Sequence, residues 1–166
     1  MKRHIRFIGL LLGILIAFPV FAQRNSSDSS PEAAALALKN FEQQLNSATY
    51  PEERFYLINK IAPTAFVAGD LEKAKSYSNG LLSLALDFRG NWNYGNAIHV
   101  GNLVLGRVAL ASSDIASAKA YLLESGKTIG SPQLNSFGPN MTLAKELIEK
   151  GEREVVLEYF SLCAKF

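Results

Sequence analysis

The chain has 166 residues, of which 48% are apolar and 19% charged. That is the length and composition of one packed domain and not of a disordered chain. Its formal net charge of +2 comes from the first six residues, because without Lys2, Arg3 and Arg6 there are 14 basic and 15 acidic side chains. This balance excludes the basic surface that a nucleic-acid binder needs. One cysteine, Cys163, and two histidines exclude an intrachain disulfide and a metal site rich in either ligand. No cofactor and no metal is expected.

The N-terminus reads as an export signal. Met1 to Arg6 is positively charged, Phe7 to Val20 is a nearly unbroken apolar run, and Val20-Phe21-Ala22 places small side chains around a cleavage point after Ala22. The run is short for a bilayer span, and Pro19 lies near its end. The alternative is an uncleaved N-terminal anchor. The residue directly after the cleavage point is Gln23 and not a cysteine, so a lipid-anchored form is not expected. The expected organisation is a signal peptide at 1–22, a flexible Ser-rich linker at 23–30 and a helical domain at 31–166. The expected location is periplasmic or secreted, with no stable membrane anchor after cleavage.

From residue 31 onward every segment has helical periodicity, and an all-α domain of about seven helices is predicted. Ser30-Pro31-Glu32 is a helix start, and Leu38, Phe41 and Leu45 follow at helical spacing. A second start at Thr49-Tyr50-Pro51-Glu52 leads to a face of Phe55, Ile58, Ile61, Ala62, Ala65 and Phe66. Pro63 should kink or split that helix. Gly69-Asp70 ends it and caps a third, with a stripe of Leu71, Ala74, Ser78, Leu81, Leu82, Ala85 and Phe88. Arg89 to Gly95 reads as a loop. Asn96 to Ala111 is apolar on nearly every side and belongs in the middle of the fold. Ser113-Asp114 caps a fifth helix ending at Gly126. A loop at about 127–138 carries Ile129, Leu134 and Phe137 and should be packed down. Helices at 139–150 and 152–165, broken at Gly151, close the chain.

Aligning Asp70 with Asp114, an offset of 44, pairs Ala65 with Ala109, Ala74 with Ala118, Lys75 with Lys119 and Tyr77 with Tyr121. Each segment reads helix, short turn, helix, and Gly151-Glu152 occupies the turn position of a third pair. The arrangement resembles the tetratricopeptide repeat family over about residues 50–166. Leu105-Gly106 stands where that family has Leu-Gly, and Ala118 at its small residue. Ala62 and Ala74 take those places in the first repeat, and Ala144 and Val156 in the third. Asn102 and Ala109 replace the family's Trp and Tyr, the closing Pro is absent, and the spacing is 44 and then 38 rather than 34.

The resemblance implies antiparallel helical hairpins stacked as a short solenoid, with the first helix of each pair lining a concave surface. Asn96, Leu103 and Arg107 share a strip of that surface, with His99 at its edge. The repeat offset adds Tyr56, Asn59 and Lys145. Amides, an aromatic ring and two cations in one groove suit an extended peptide and its carboxylate. Tyr56, Asn59, Asn96 and Arg107 are therefore expected to be solvent-exposed and dispensable for stability.

The implied function is an interaction module for a protein or peptide partner, with no nucleic-acid role. The alternative is a structural subunit, a homodimer included, that packs through its apolar faces. No constellation suggests an enzyme. Gly126-Lys127-Thr128 closes a helix rather than following a strand, so it is no phosphate loop. Cys163 shares a face with Val156 and Tyr159 and reads as a buried structural thiol.

Overall fold

A computed structural model describes residues 30–166. The expected leader at 1–22, its cleavage point and nearly all of the linker at 23–30 lie outside the described residues. Within them every regular element is a helix: α1 (Pro31–Ser47), α2 (Pro51–Val67), α3 (Leu71–Ala85), α4 (Tyr94–Ala111), α5 (Ile115–Gly126), α6 (Pro132–Phe137), α7 (Thr142–Glu149) and α8 (Arg153–Cys163). A 3-10 turn, Leu86–Phe88, extends α3. No helix among the described residues is long and apolar enough to cross a membrane.

Local chemistry sets the ends. The Ser30 hydroxyl accepts the Ala33 N–H at 3.3 Å and opens α1. Asp70 accepts the Lys73 N–H, and Asp114 the Ser117 N–H, both at 3.0 Å, opening α3 and α5. Three turns share one geometry. Gly69, Ser113 and Gly151 all have positive φ. The next residue in each case, Asp70, Asp114 or Glu152, donates its N–H to the carbonyl of Ala65, Ala109 or Leu147 at 2.9–3.0 Å. This is the left-handed helix ending that glycine favours.

Successive helices from α1 to α5 pack on one another, and α2 also touches α4. After α5 the neighbours change: α8 lies on α5, and α7 bridges α4, α5 and α8. Helix α4 is central, with ten of its residues buried, as its apolar sequence predicts. One end of the core joins Leu103, Leu122, Leu143, Leu147, Val156 and Tyr159. A second cluster joins Leu38, Leu57, Ile61, Ala74 and Val104 between α1, α2, α3 and α4. A third holds Phe55, Leu81, Ala85 and Ala97. The Phe55 ring stacks on Phe88 at 4.7 Å.

Four expectations need correction. The helices number eight among the described residues rather than about seven. The extra one is α6, where Ser131 accepts the Leu134 N–H at 3.1 Å and Pro132 follows the cap. Of the two outcomes expected at Pro63, a kink or a split, the split does not occur, since α2 runs unbroken from Pro51 to Val67. Packing on α1 and α3 holds it, at the expense of the usual N–H donor to the Asn59 carbonyl. Helix α4 begins at Tyr94 and α7 at Thr142, not at Asn96 and Pro139. In the 127–138 segment only Leu134 of the three apolar residues is buried, while Ile129 and Phe137 are exposed. That segment is fastened mostly by polar bonds instead.

Candidate functional site

The seven residues expected to form one groove divide into different environments. Tyr56, Asn59 and Asn96 come together in a cleft of about 360 Å³ between α2 and the start of α4. They are half-buried rather than exposed, because α2 and α4 pack directly on each other. Leu103 is buried in the core with Ala118 and Leu143, since its side of α4 faces α5 and α7 rather than solvent. It lines no groove. His99 is 1% exposed. Its Nδ1–H donates to the Ser125 carbonyl at 3.1 Å, and its Nε2 accepts the Asn140 N–H at 3.1 Å. Both ring nitrogens are used internally, and burial pushes its pKa below the usual imidazole range.

Arg107 is likewise committed. Its Nε and Nη2 hold both oxygens of Glu146 at 2.7–3.1 Å, and its guanidinium lies 4.2 Å above the centre of the Phe66 ring. It joins α4 to α7 and α2, well away from the cleft, and it is not exposed. Lys145 is exposed on α7 beside that ion pair. The two cations and the amides therefore do not converge on one ligand.

The cleft is completed by residues that sequence reasoning missed: Trp92, Asn93 and Gln133, with Lys60 at the edge. Trp92 is 56% exposed, and its ring stands 5.8 Å from Tyr56, tilted by 39°. The loop before α4 is pinned to place it. The Tyr56 hydroxyl donates to Glu52 Oε1 at 2.8 Å and accepts from Asn91 Nδ2 at 3.1 Å. The same Nδ2 reaches Glu52 Oε1 at 2.7 Å, and Asn91 Oδ1 accepts the Asn93 N–H at 2.8 Å. Gln133 arrives on α6. Thr128, donating to the Gly95 carbonyl at 2.8 Å, anchors the segment that carries it.

Asn59 Oδ1 and Gln133 Oε1 are sealed from solvent and have no hydrogen-bond partner. Among the described residues the third such side-chain atom is Ser78 Oγ, so two of the three belong to residues that line this cleft. An unpaired buried acceptor costs about 1–3 kcal/mol, and with no exposed surface neither oxygen is open to a ligand as it stands. A second cleft, of about 420 Å³, adjoins the first through the shared Tyr56 and Lys60 and adds Tyr50, Glu52, Glu53 and Leu57.

Other places carry less. A cavity of about 190 Å³ between α3, α4 and α5 contains Lys75 and Asp114, but Asp114 is occupied in capping α5. Cys163 is buried, and burial pushes its thiol up in pKa, away from the thiolate. Among the described residues no three His, Cys, Asp or Glu side chains are placed to hold a metal ion. Compared with protein families, curated proteins and solved structures, the chain matches none of them.

Proposed function

We propose that this chain is a recognition module rather than a catalyst, and that it engages its partner through the cleft between α2 and the N-terminal end of α4. The observation that carries the reading is the gathering of Asn59, Asn96 and Gln133 with the exposed Trp92 around one cleft. The lining offers donors, acceptors and aromatic faces, which suit binding. The repeat reading belongs to the same proposal. The three matching turns at Gly69-Asp70, Ser113-Asp114 and Gly151-Glu152 support stacked, tetratricopeptide-like helical pairs, and the contact between first helices α2 and α4 supports a shared recognition face. Export belongs to it as well: the mature protein would start at Gln23 in the periplasm or outside the cell. Mass spectrometry of the protein from its native host checks this, and an intact Met1 end in the cytoplasm would sink it.

The test of recognition is capture from the native host's envelope extract with the mature protein and with the Asn59→Ala, Trp92→Ala, Asn96→Ala variant. A stoichiometric partner retained by the first and lost by the second supports the cleft. Equal capture by both rejects it. Self-association alone favours the alternative, a homo-oligomeric subunit. The observation behind that alternative is the outer face of α8, where Leu157 and Phe160 are exposed one turn apart.

A further inference from the structure

We infer that the ligand of this cleft is a neutral oligosaccharide. The inference rests on the reading of the cleft as the recognition surface and goes further by naming the chemistry that fits it.

The first argument is the kind of polar group present. Asn59, Asn96 and Gln133 line the cleft with planar amides, each of which carries an acceptor oxygen and an NH2 donor side by side. A sugar hydroxyl donates and accepts at once, so it can pair with whichever end of such an amide the cleft leaves open. A peptide N–H only donates and a peptide carbonyl only accepts, so a main chain must match both in register.

The second argument is the apolar surface. Exposed aromatic rings are part of it. Trp92 stands open at the first cleft and Tyr50, 73% exposed, at the second. Rings with one wet face are platforms for flat ligands that are apolar on one side and polar at the rim, as the C–H face of a pyranose is. An extended peptide is recognised through pockets for alternate side chains, and neither cleft supplies a closed apolar pocket.

The third argument is extent and charge. The two clefts share Tyr56 and Lys60, and Trp92 lines one and Tyr50 the other, so together they offer contacts to more than one ring. Glu52 and Glu53 border it against the single cation Lys60, a balance that disfavours uronic or sialic acids.

Trp92 is the only tryptophan in the sequence and so reports on the cleft without a label. The experiment titrates the mature protein with cellotriose, chitotriose, maltotriose and laminaritriose, with trigalacturonate as the acidic comparison and a tripeptide library as the other class. Tryptophan emission is followed, with calorimetry in parallel. The expected result is a saturable emission change with at least one neutral trisaccharide and a weaker response to trigalacturonate. The Asn59→Ala, Gln133→Ala variant should bind that sugar at least tenfold more weakly, with circular dichroism unchanged. Trp92→Ala, read by calorimetry, should do the same. Neutral trisaccharides that leave emission and heat unchanged to millimolar concentration overturn the inference. If tripeptides alone bind, and these variants abolish it, the sugar reading falls and the recognition cleft stands. If neither class responds and an envelope partner is captured equally by the cleft variant, both fall.

Discussion

The main-chain N–H of Asn140 donates to Nε2 of His99 at 3.1 Å, tying the segment after α6 to the middle of α4 across 41 positions of sequence. The bond requires a neutral imidazole with its proton on Nδ1, directed at the Ser125 carbonyl. Protonation would set an N–H against an N–H. Because burial lowers the folded-state pKa of His99, the unfolded chain binds more protons below its own imidazole pKa of about 6.5. The stabilisation from the neutral ring is thus complete above about pH 6.5 and is lost as the pH falls from there towards the folded pKa. Urea unfolding of wild type and His99→Gln should show their stability difference narrowing from about pH 7.5 to about pH 5. A constant difference would show that the ring does not titrate differently in the two states.

Gly95 and Gly106 are both crowded, but by different neighbours. A Cβ on Gly95 would collide with the main-chain carbonyl of Gly130, while one on Gly106 would meet the flexible end of Leu143. Backbone yields less readily than a side-chain tip. Gly95→Ala should therefore cost about 1–3 kcal/mol and loosen the segment that carries Gln133, whereas Gly106→Ala should cost less. Gly106→Leu, which must also displace Tyr121 and the Ala118 carbonyl, should again cost about 1–3 kcal/mol. Thermal unfolding of the three variants gives the order; a Gly106→Leu midpoint equal to wild type would contradict the close crossing.

Ser113 is the non-glycine residue with positive φ among the described residues, at 63°, in the turn where the equivalent residues are Gly69 and Gly151. Its side chain is exposed, so nothing is lost in contacts when it is removed. Left-handed backbone costs an L-residue about 1–2 kcal/mol, offset in part by the greater unfolded-state entropy of glycine. Ser113→Gly should raise stability by about 0.5–1 kcal/mol, visible as a higher urea midpoint with unchanged slope.

Arg107 and Glu146 form a bidentate pair with side chains 26% and 28% exposed, and Phe66 lies beneath the guanidinium. Arg107→Ala should cost about 1–2 kcal/mol in unfolding rather than leave stability unaltered. Arg107→Lys should recover only part of that, because an ammonium lacks the planar fork. Ligand binding at the α2–α4 cleft should be unaffected by either, as measured by Trp92 emission.

The sequence by itself determined the helices and most of their ends. Caps such as Ser30, Asp70 and Asp114, the prolines at the first helical positions and the glycines after the last ones act within a few residues, so their effects are written locally. The centrality of α4 was equally legible, since a helix that is apolar nearly all round must be surrounded.

Only the tertiary structure decided which residues on this strip of α4 were free. Asn96, His99, Leu103 and Arg107 are near neighbours on a helical wheel, yet one lines a cleft, two are buried and one is held by Glu146. The difference lies in what stands opposite: Gln133 on α6, the carbonyl of Ser125 on α5, the packed faces of α5 and α7, and a carboxylate on α7. Each of these partners belongs to a later element, and periodicity within α4 carries no information about them. Trp92 and Gln133 were missed for the same reason. One lies in a loop and the other in a short helix, and neither has a periodic pattern to mark it. They became a site only when Asn91, Tyr56 and Glu52 fixed the loop, and Thr128 and Gly95 fixed the approach of α6.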